Sequence, residues 1–377
     1  MPLREETIVE KRLEAVLMVR SGLSISETAR HYRVTRPTLY EWIRRYDANE
    51  GLADRSRAPH SCPHRTEEWI AERLIEERSR WKFGSKKILQ RLHEDEPSIA
   101  WPSRATADVI FKRAGMVQRR RRRARTYAPI SRPQRPVNAP GDLTTVDFKG
   151  EFRLRNGKYC YPLTIADSFS RYLLACEALS STELRSTWKV LERVFRDHGL
   201  PRAVQSDNGV PFGAHGHGRF STLSVRLMRL GIEPIFSRPG KPQDNAAHER
   251  MHKTLKEYVQ APSASLAHQQ LAFDAFRNIF NHERPHEGIG MQRPVRLYRS
   301  SPRPFPEIAP KLEYEAWFET RLVHGNGMIS WRNRSIYIGQ PFAAHRLGFE
   351  PVDYALWNVH FATFVIGVLD ENKGLFL

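Results

Sequence analysis

Three kinds of residue pattern succeed one another along the 377 residues, and together they predict a multidomain chain. Up to about residue 114, apolar residues recur at helical spacing behind helix-start signals, so all-α units are expected first. From about 141 to 281 extended runs alternate with amphipathic ones, as an α/β core requires. After about 310, short extended runs are separated by turn residues, which predicts a small C-terminal β-barrel. The boundaries are expected at 1–50, 51–64 (a linker), 65–117, 118–140 (a basic, proline-rich linker), 141–300 and 310–377.

Residues 7–46 read as three short helices. Thr7 with Glu10 and Ser24 with Glu27 form two capping boxes, which satisfy donors left open at helix starts. The first helix is expected to bury Val9, Leu13, Val16 and Leu17. The second runs from about 25 to 32, and Arg33-Val34 make a tight turn. Thr35 caps a third helix, with Pro37 in its first turn, where a missing N–H does no harm. Leu39, Trp42 and Ile43 supply its buried side. This is helix-turn-helix spacing, and it places Arg36, Thr38 and Tyr40 near the N-terminus of a recognition helix, where base edges are read.

A polar stretch with two prolines (51–64) breaks the pattern. Helices are then expected at about 66–80, 85–94 and 103–114, a second DNA-binding unit carrying Lys82, Lys86, Lys87, Arg104, Lys112 and Arg113. Arg119, Arg120 and Arg121 open a run of five arginines suited to tracking phosphates. The proline-rich 128–140 should be an extended connector.

Within the core, strands are expected at 143–149, 152–155, 160–166 and 172–178. A helix follows at about 182–197, with Leu184, Trp188, Leu191 and Phe195 on one face. A short strand precedes Asp207, a helix covers about 219–230, and 233–237 is a further strand. Helices at about 244–260 and 264–281 close the domain. Three early strands followed by alternating helices and strands fit a mixed sheet flanked by helices, as in ribonuclease-H-like folds.

Composition narrows the partner. The formal charge of +18 points to a polyanion. Residues 1–130 hold 28 Lys and Arg against 18 Asp and Glu, so +10 of that charge lies in the first third. No run of 18 apolar residues could span a membrane, and the start at Met1 leads into a charged segment rather than a secretory signal. Three cysteines (Cys62, Cys160 and Cys176) without metal-ligand spacing fit a reducing compartment. A cytoplasmic protein, nucleoid-associated when bound to DNA, is expected.

The chemistry rests on three carboxylates. Asp147 ends the extended stretch from Leu143 to Phe148. Asp207 follows Ala203-Val204-Gln205 and runs into Asn208-Gly209. Glu249 lies in the first turns of a helix. Brought together, they would hold two Mg²⁺ or Mn²⁺ ions, hard cations that take oxygen ligands and clamp an in-line displacement at phosphorus. On the wheel of the 244–260 helix, Ala247, Met251, Leu255 and Tyr258 form the expected core face. Glu249, His252, Lys253 and Lys256 fall opposite, so His252, Lys253 and Lys256 are candidate DNA contacts. The basic loop before it, Ser237 to Asn245, includes Lys241 and feeds the helix N-terminus, a favourable place for an anion.

These stretches also carry a resemblance. Asp147-Phe148, Asp167 to Arg171, Ser206 to Gly209, Gly240 to Arg250 and Phe280 to His286 resemble the core of DDE transposases of bacterial insertion sequences, which share a retroviral-integrase-type catalytic core. The Gly51 to Arg57 stretch is similar to the same group. The resemblance implies a catalytic triad at Asp147, Asp207 and Glu249, two Mg²⁺ (or Mn²⁺) ions as cofactor, and supporting roles for Asn208 and Asn245. It implies double-stranded DNA as partner, both terminal inverted repeats and target, and a homodimer or higher homo-oligomer on DNA. Asp167 is the rival carboxylate, read as a turn residue paired with Arg171. The 41 residues between Asp207 and Glu249 exceed the family's usual spacing, and the excess fits the glycine-rich 213–218 loop. A DNA-binding regulator with an inert core and a structure-selective nuclease are the other classes compatible with these residues.

Overall fold

The computed structural model of the chain describes residues 7–56, 65–117, 135–213, 220–238, 245–259 and 261–377. They divide into two compact units, Met1–Thr66 and Glu67–Leu377.

In the first unit, α1 (Ile8–Arg20) and α2 (Ile25–His31) begin with the two expected capping boxes, and Thr35 caps α3 (Arg36–Asp47). Arg33 turns the chain between α2 and α3 with φ of 54°. The core is small: Ala15, Val16, Ala29 and Leu39, with Val19, Trp42 and Ile43 against them. Of the apolar face expected on α1, only Val16 is buried; Val9, Leu13 and Leu17 are exposed. The helix turns its Ala15–Val19 side inward because the small Ala15 lets α2 and α3 approach. Arg12 Nη1 donates to Leu52 O at 2.7 Å, and buried Arg45 donates to Ala53 O at 2.8 Å, so residues 51–54 are held against the helices.

The second unit begins with α4 (Glu68–Trp81), α5 (Ser85–Asp95) and α6 (Arg104–Arg113), packed around Leu74, Ile88, Leu92 and Phe111. The mixed sheet follows: β1 (Thr144–Phe148), β2 (Phe152–Arg153), β3 (Tyr159–Asp167), β4 (Leu173–Leu179), β5 (Ala203–Ser206) and β6 (Glu233–Phe236). β1, β3 and β4 pair antiparallel, β2 pairs with the start of β3, and β5 and β6 add parallel beyond β1. This is the ribonuclease-H-like arrangement expected from the sequence. Strand alternation gives the sheet two apolar faces. Val146, Leu163, Ile165 and Val204 pack against α7 (Leu184–His198) and α8 (Thr222–Arg229). Cys160, Leu173 and Cys176 pack against α9 (Ala246–Tyr258) and α10 (Leu266–Asn278).

α10 runs into a π turn, Ile279–Glu283, which docks α5 onto the core through the Arg91–Glu283 ion pair. Arg293 adds contacts to Glu94 at 3.3 Å and Asp95 at 2.5 Å. At the C-terminus, β7 (Glu319–Leu322), β10 (Arg346–Asp353), β11 (Leu356–Phe361), β12 (Phe364–Asp370) and β13 (Leu375–Phe376) make an antiparallel sheet. β8 (Met328–Trp331) and β9 (Arg334–Tyr337) form a separate hairpin. Among the described residues the pairing does not run continuously into a closed barrel. No helix among them is long and apolar enough to cross a membrane.

The π turn also carries a two-pronged clamp. Buried Asn281 accepts from Leu173 N at 2.8 Å and donates to Leu173 O at 2.9 Å. Asn281→Ala strands both backbone groups of Leu173 in the core, which should cost about 2–4 kcal/mol. A clearly lower Tm in scanning calorimetry is expected, and an unchanged one would show that the clamp is dispensable.

Candidate active site

β1 and β5 lie side by side in parallel, Thr144 opposite Val204 and Thr145 opposite Gln205. Asp147 stands three residues beyond Thr144 and Asp207 three beyond Val204, so the two carboxylates leave neighbouring strands at the same height. Asp147 is pushed up to about 7, first by burial and then by the charges of Asp207 and Glu249, with the Phe148 N–H pulling the other way. Burial also raises Asp207, opposed by the N–H of Gly209, which it accepts at 3.2 Å. A side chain at Gly209 would crowd Asp207 Oδ2, which lies 3.1 Å from where the Cβ would sit. Asn208 Nδ2 donates to Ser237 O at 2.7 Å and so ties this turn to the end of β6.

α9 lies across the same face of the sheet. Its buried residues are His248, Met251 and Leu255. Tyr258, expected in the core, is 44% exposed, although its ring rests 5.6 Å from that of Phe276. Lys253, Lys256 and Glu249 are exposed. His252 is not on that outer face: its side chain is only 12% exposed and its Nδ1 lies 3.9 Å from Asp147 Oδ2. The helix can bury imidazoles because the strand beneath offers hydroxyls.

Those hydroxyls hold both rings. Thr145 Oγ1 donates to Ala166 O at 3.2 Å and lies 2.8 Å from His248 Nδ1. Burial holds His248 neutral, far below its ordinary range. Thr164 Oγ1 donates to Asp147 O at 3.0 Å and lies 2.6 Å from His248 Nε2 and 2.7 Å from His252 Nε2. Burial lowers His252 to about 4, and its Nδ1 is the nitrogen nearer the Asp147 carboxylate.

Ligand atoms of Asp147, His248 and His252 lie within 4.8 Å of one another. Both nitrogens of His248 are already engaged, which leaves Asp147 and His252 as the open donors of that group. Beside them Asn245 Nδ2 donates to Asp147 Oδ2 at 3.2 Å, while Asn245 Oδ1 is buried with no partner. An orphaned buried oxygen next to mutually repelling carboxylates is a donor set that fits a hard cation.

Arg36 and Tyr40 are exposed on α3. Thr38 is half-buried, with its hydroxyl 2.7 Å from that of the capping Thr35, so it serves the cap. Arg119, Arg120, Arg121 and Lys241 lie outside the described residues. Asp167 is buried at the end of β3, where the expected turn begins; Arg171 N donates to its backbone O at 3.0 Å, but its carboxylate is held by other groups. It accepts from Gly141 N at 2.9 Å, Ser170 N at 2.8 Å and Ser170 Oγ at 2.6 Å. His248 escaped the sequence reading altogether; its signal was the (i, i+3, i+7) spacing with Met251 and Leu255.

Residues 137–242 and 230–294 match two families described as Integrase core domain, and residues 11–60 match one described as Helix-turn-helix domain. The chain is 27% identical over 236 residues to the "Insertion element IS407 uncharacterized 31.7 kDa protein" of Burkholderia multivorans, covering 62% of this chain and 81% of that one. It is 24% identical over 233 residues to the "Insertion element IS476 uncharacterized 39.2 kDa protein" of Xanthomonas euvesicatoria, covering 60% of this chain and 64% of that protein, just under two thirds. It is also 34% identical over 121 residues to the Pol polyprotein of Feline endogenous virus ECE1, which covers 32% of this chain and 11% of the polyprotein. Core and matches define the class: a DDE-type polynucleotidyl transferase with an integrase core and a helix-turn-helix domain. Within that class its likeness is to these two insertion-element proteins.

The raised Asp147 has a pH signature. Its folded value lies above the unfolded value of about 4, so the native state binds the extra proton between about 4 and 7. The stability tied to that proton is present below pH 4 and lost as pH rises through 7. Asp147→Asn should therefore raise the Tm of the cation-free protein at pH 8, by the equivalent of roughly 2 kcal/mol, and change it little at pH 4. Melts in EDTA at both pH values test this; an equal effect at both would contradict it.

Proposed function

We propose that this protein is the transposase of a bacterial insertion sequence, which cleaves the element's ends and joins them to target DNA. The observation that carries the reading is the placement of half-buried Asp147 and exposed Asp207 at one height on β1 and beyond β5, with Asp147 in the field of Asp207 and Glu249. Asp147, Asp207 and Glu249 would hold two Mg²⁺ or Mn²⁺ ions. Bound there, the ions would supply Lewis-acid activation to the attacking and leaving oxygens of an in-line displacement. Asn245 holds the Asp147 carboxylate in place from one side, and His252 closes the site from the protein interior.

Cleavage is hydrolysis of one phosphodiester, leaving a 3′-hydroxyl at the element's end. Joining is attack of that hydroxyl on a target phosphodiester, one P–O bond forming as another breaks. Exposed Lys253 and Lys256 on α9, with Lys241 before it, would take phosphates near the reacting bond. α3 would read the terminal inverted repeats through Arg36 and Tyr40, with Arg119, Arg120 and Arg121 following the backbone. The division at 1–50, 65–117, 141–300 and 310–377 gives each part its own task, the last as a β-domain in which Trp331 of the hairpin meets Phe349 and Trp357 of the sheet. Pairing two ends calls for a homodimer or larger assembly on DNA, in the cytoplasm at the nucleoid.

A strand-transfer assay tests the reading, with a labelled duplex of the element's end and a plasmid target. Asp207→Asn should abolish cleavage and joining while end binding survives. Arg36→Ala with Tyr40→Ala should weaken end binding roughly tenfold and leave the core folded, since a lost base contact costs about 1–3 kcal/mol. Binding with no cleavage by the unaltered protein, whatever the divalent ion, would instead identify a regulator.

A further inference from the structure

On the α9 side of the sheet a cleft of about 680 Å³ opens beside the carboxylates. Thr145 and Gln205 line it, and these stand two residues before Asp147 and Asp207 on the same strand faces. Four cationic side chains also line it: exposed Arg250 of α9, and three half-buried ones from separate parts of the chain, Lys87 of α5, Arg171 of the β3–β4 turn, and Arg284 just beyond the π turn. None of these three has a carboxylate within ion-pairing distance among the described residues.

The acidic groups that act on them lie at longer range: Glu257, exposed on α9, acts on Lys87 and Arg284 without an ion pair to either among the described residues. Asp167 spends its oxygens on Gly141 and Ser170. Glu287 is exposed at the rim, 3.9 Å from Lys86. Arg284 is set in place over the Phe83 ring at 5.2 Å. Burial and mutual repulsion lower Lys87 to about 8, and the three cations together help hold His286 neutral, near 3. Keeping three like charges half-buried and unpaired is costly unless an anion joins them. The rest of the wall is apolar, with Phe169, Met251 and Phe280 prominent.

We propose that this cleft holds an unpaired nucleotide of the DNA strand next to the reacting phosphodiester. Lys87, Arg171 and Arg284 take its phosphate, and the wall of Phe169, Met251 and Phe280 takes its base. This rests on the transposase reading and adds to it a place where one strand leaves the duplex. The volume is that of a small-molecule site, fit for a nucleotide or two rather than for paired DNA. Aromatic and apolar walls with a cationic rim are what single strands bind without reading sequence.

The test uses the full chain in EDTA with a thymidine hexanucleotide carrying 4-thiothymidine, and inorganic phosphate as a second probe. Lys87→Gln, Arg171→Gln and Arg284→Gln combined should weaken hexanucleotide binding on the order of 100-fold and flatten its log–log salt slope by about 1–2. Arg284→Lys, which keeps the charge, should bind within about threefold of the unaltered protein. Photocrosslinks should fall on Phe169, Met251 or Phe280. Undiminished binding by the triple variant, crosslinks only elsewhere, or a loss with Arg284→Lys as large as the triple's would each overturn the proposal. So would phosphate binding as tightly as the hexanucleotide with no crosslink formed, which would mark a free-anion site. Hexanucleotide binding by this cleft in a protein that never joins DNA would sink the transposase reading alone. Wild-type joining by the triple variant would sink the cleft alone.

Discussion

The parallel pairing of β1 with β5 sets Asp147 and Asp207 at one height on neighbouring strands, and burial together with the charge of Asp207 makes the Asp147 anion costly. Asp147 and Asp207 follow strand residues that face the opposite way into packed core. Val146 and Val204 are fully or almost fully buried against α7 and α8. The hydrophobic layer beneath the sheet thus holds the repulsion above it in place. Such preorganised unfavourable charge is what a cation-dependent phosphoryl-transfer site needs before its cations arrive.

α9 completes the arrangement from the other side, and it does so with an unusual buried face. Two imidazoles sit where aliphatic side chains would ordinarily pack, each satisfied by hydroxyls of Thr145 and Thr164. That arrangement leaves His252 Nδ1 3.9 Å from Asp147 Oδ2. The π turn after α10 does a comparable double duty: Asn281 locks it to β4, and the chain just beyond carries Arg284 and His286 to the cleft. Structural and chemical residues thus alternate within single short motifs.

Much of this was legible in the sequence because the signals were local. Capping boxes at Thr7 and Ser24, the cap at Thr35 and the strand before Asp207 each depend on a few neighbouring residues, and each element formed where expected. The misreadings came from surfaces that only tertiary contact defines. A wheel that counts histidine as polar turns α9 outward at His252, whereas hydroxyls on β1 and β3 make that face a buried one. The Val9–Leu13–Leu17 stripe is apolar and yet exposed, since Ala15 governs how closely α1 can approach its neighbours. Asp167 was rightly a turn residue, but serine and backbone donors three residues on, and across to Gly141, were nearer than the Arg171 guanidinium. Closure of the C-terminal strands depends on pairing between distant runs, which alternation within each run does not encode.

Proton release on cation binding tests the central claim most directly. If burial and the neighbouring charges keep Asp147 protonated near neutrality, Mn²⁺ binding should expel close to one proton per chain at pH 6 and only about 0.1 at pH 8. Titration calorimetry in buffers of different ionisation enthalpy measures this number. The same release at both pH values, or an undiminished release from Asp147→Asn, would mean that the paired carboxylates are not the groups under strain.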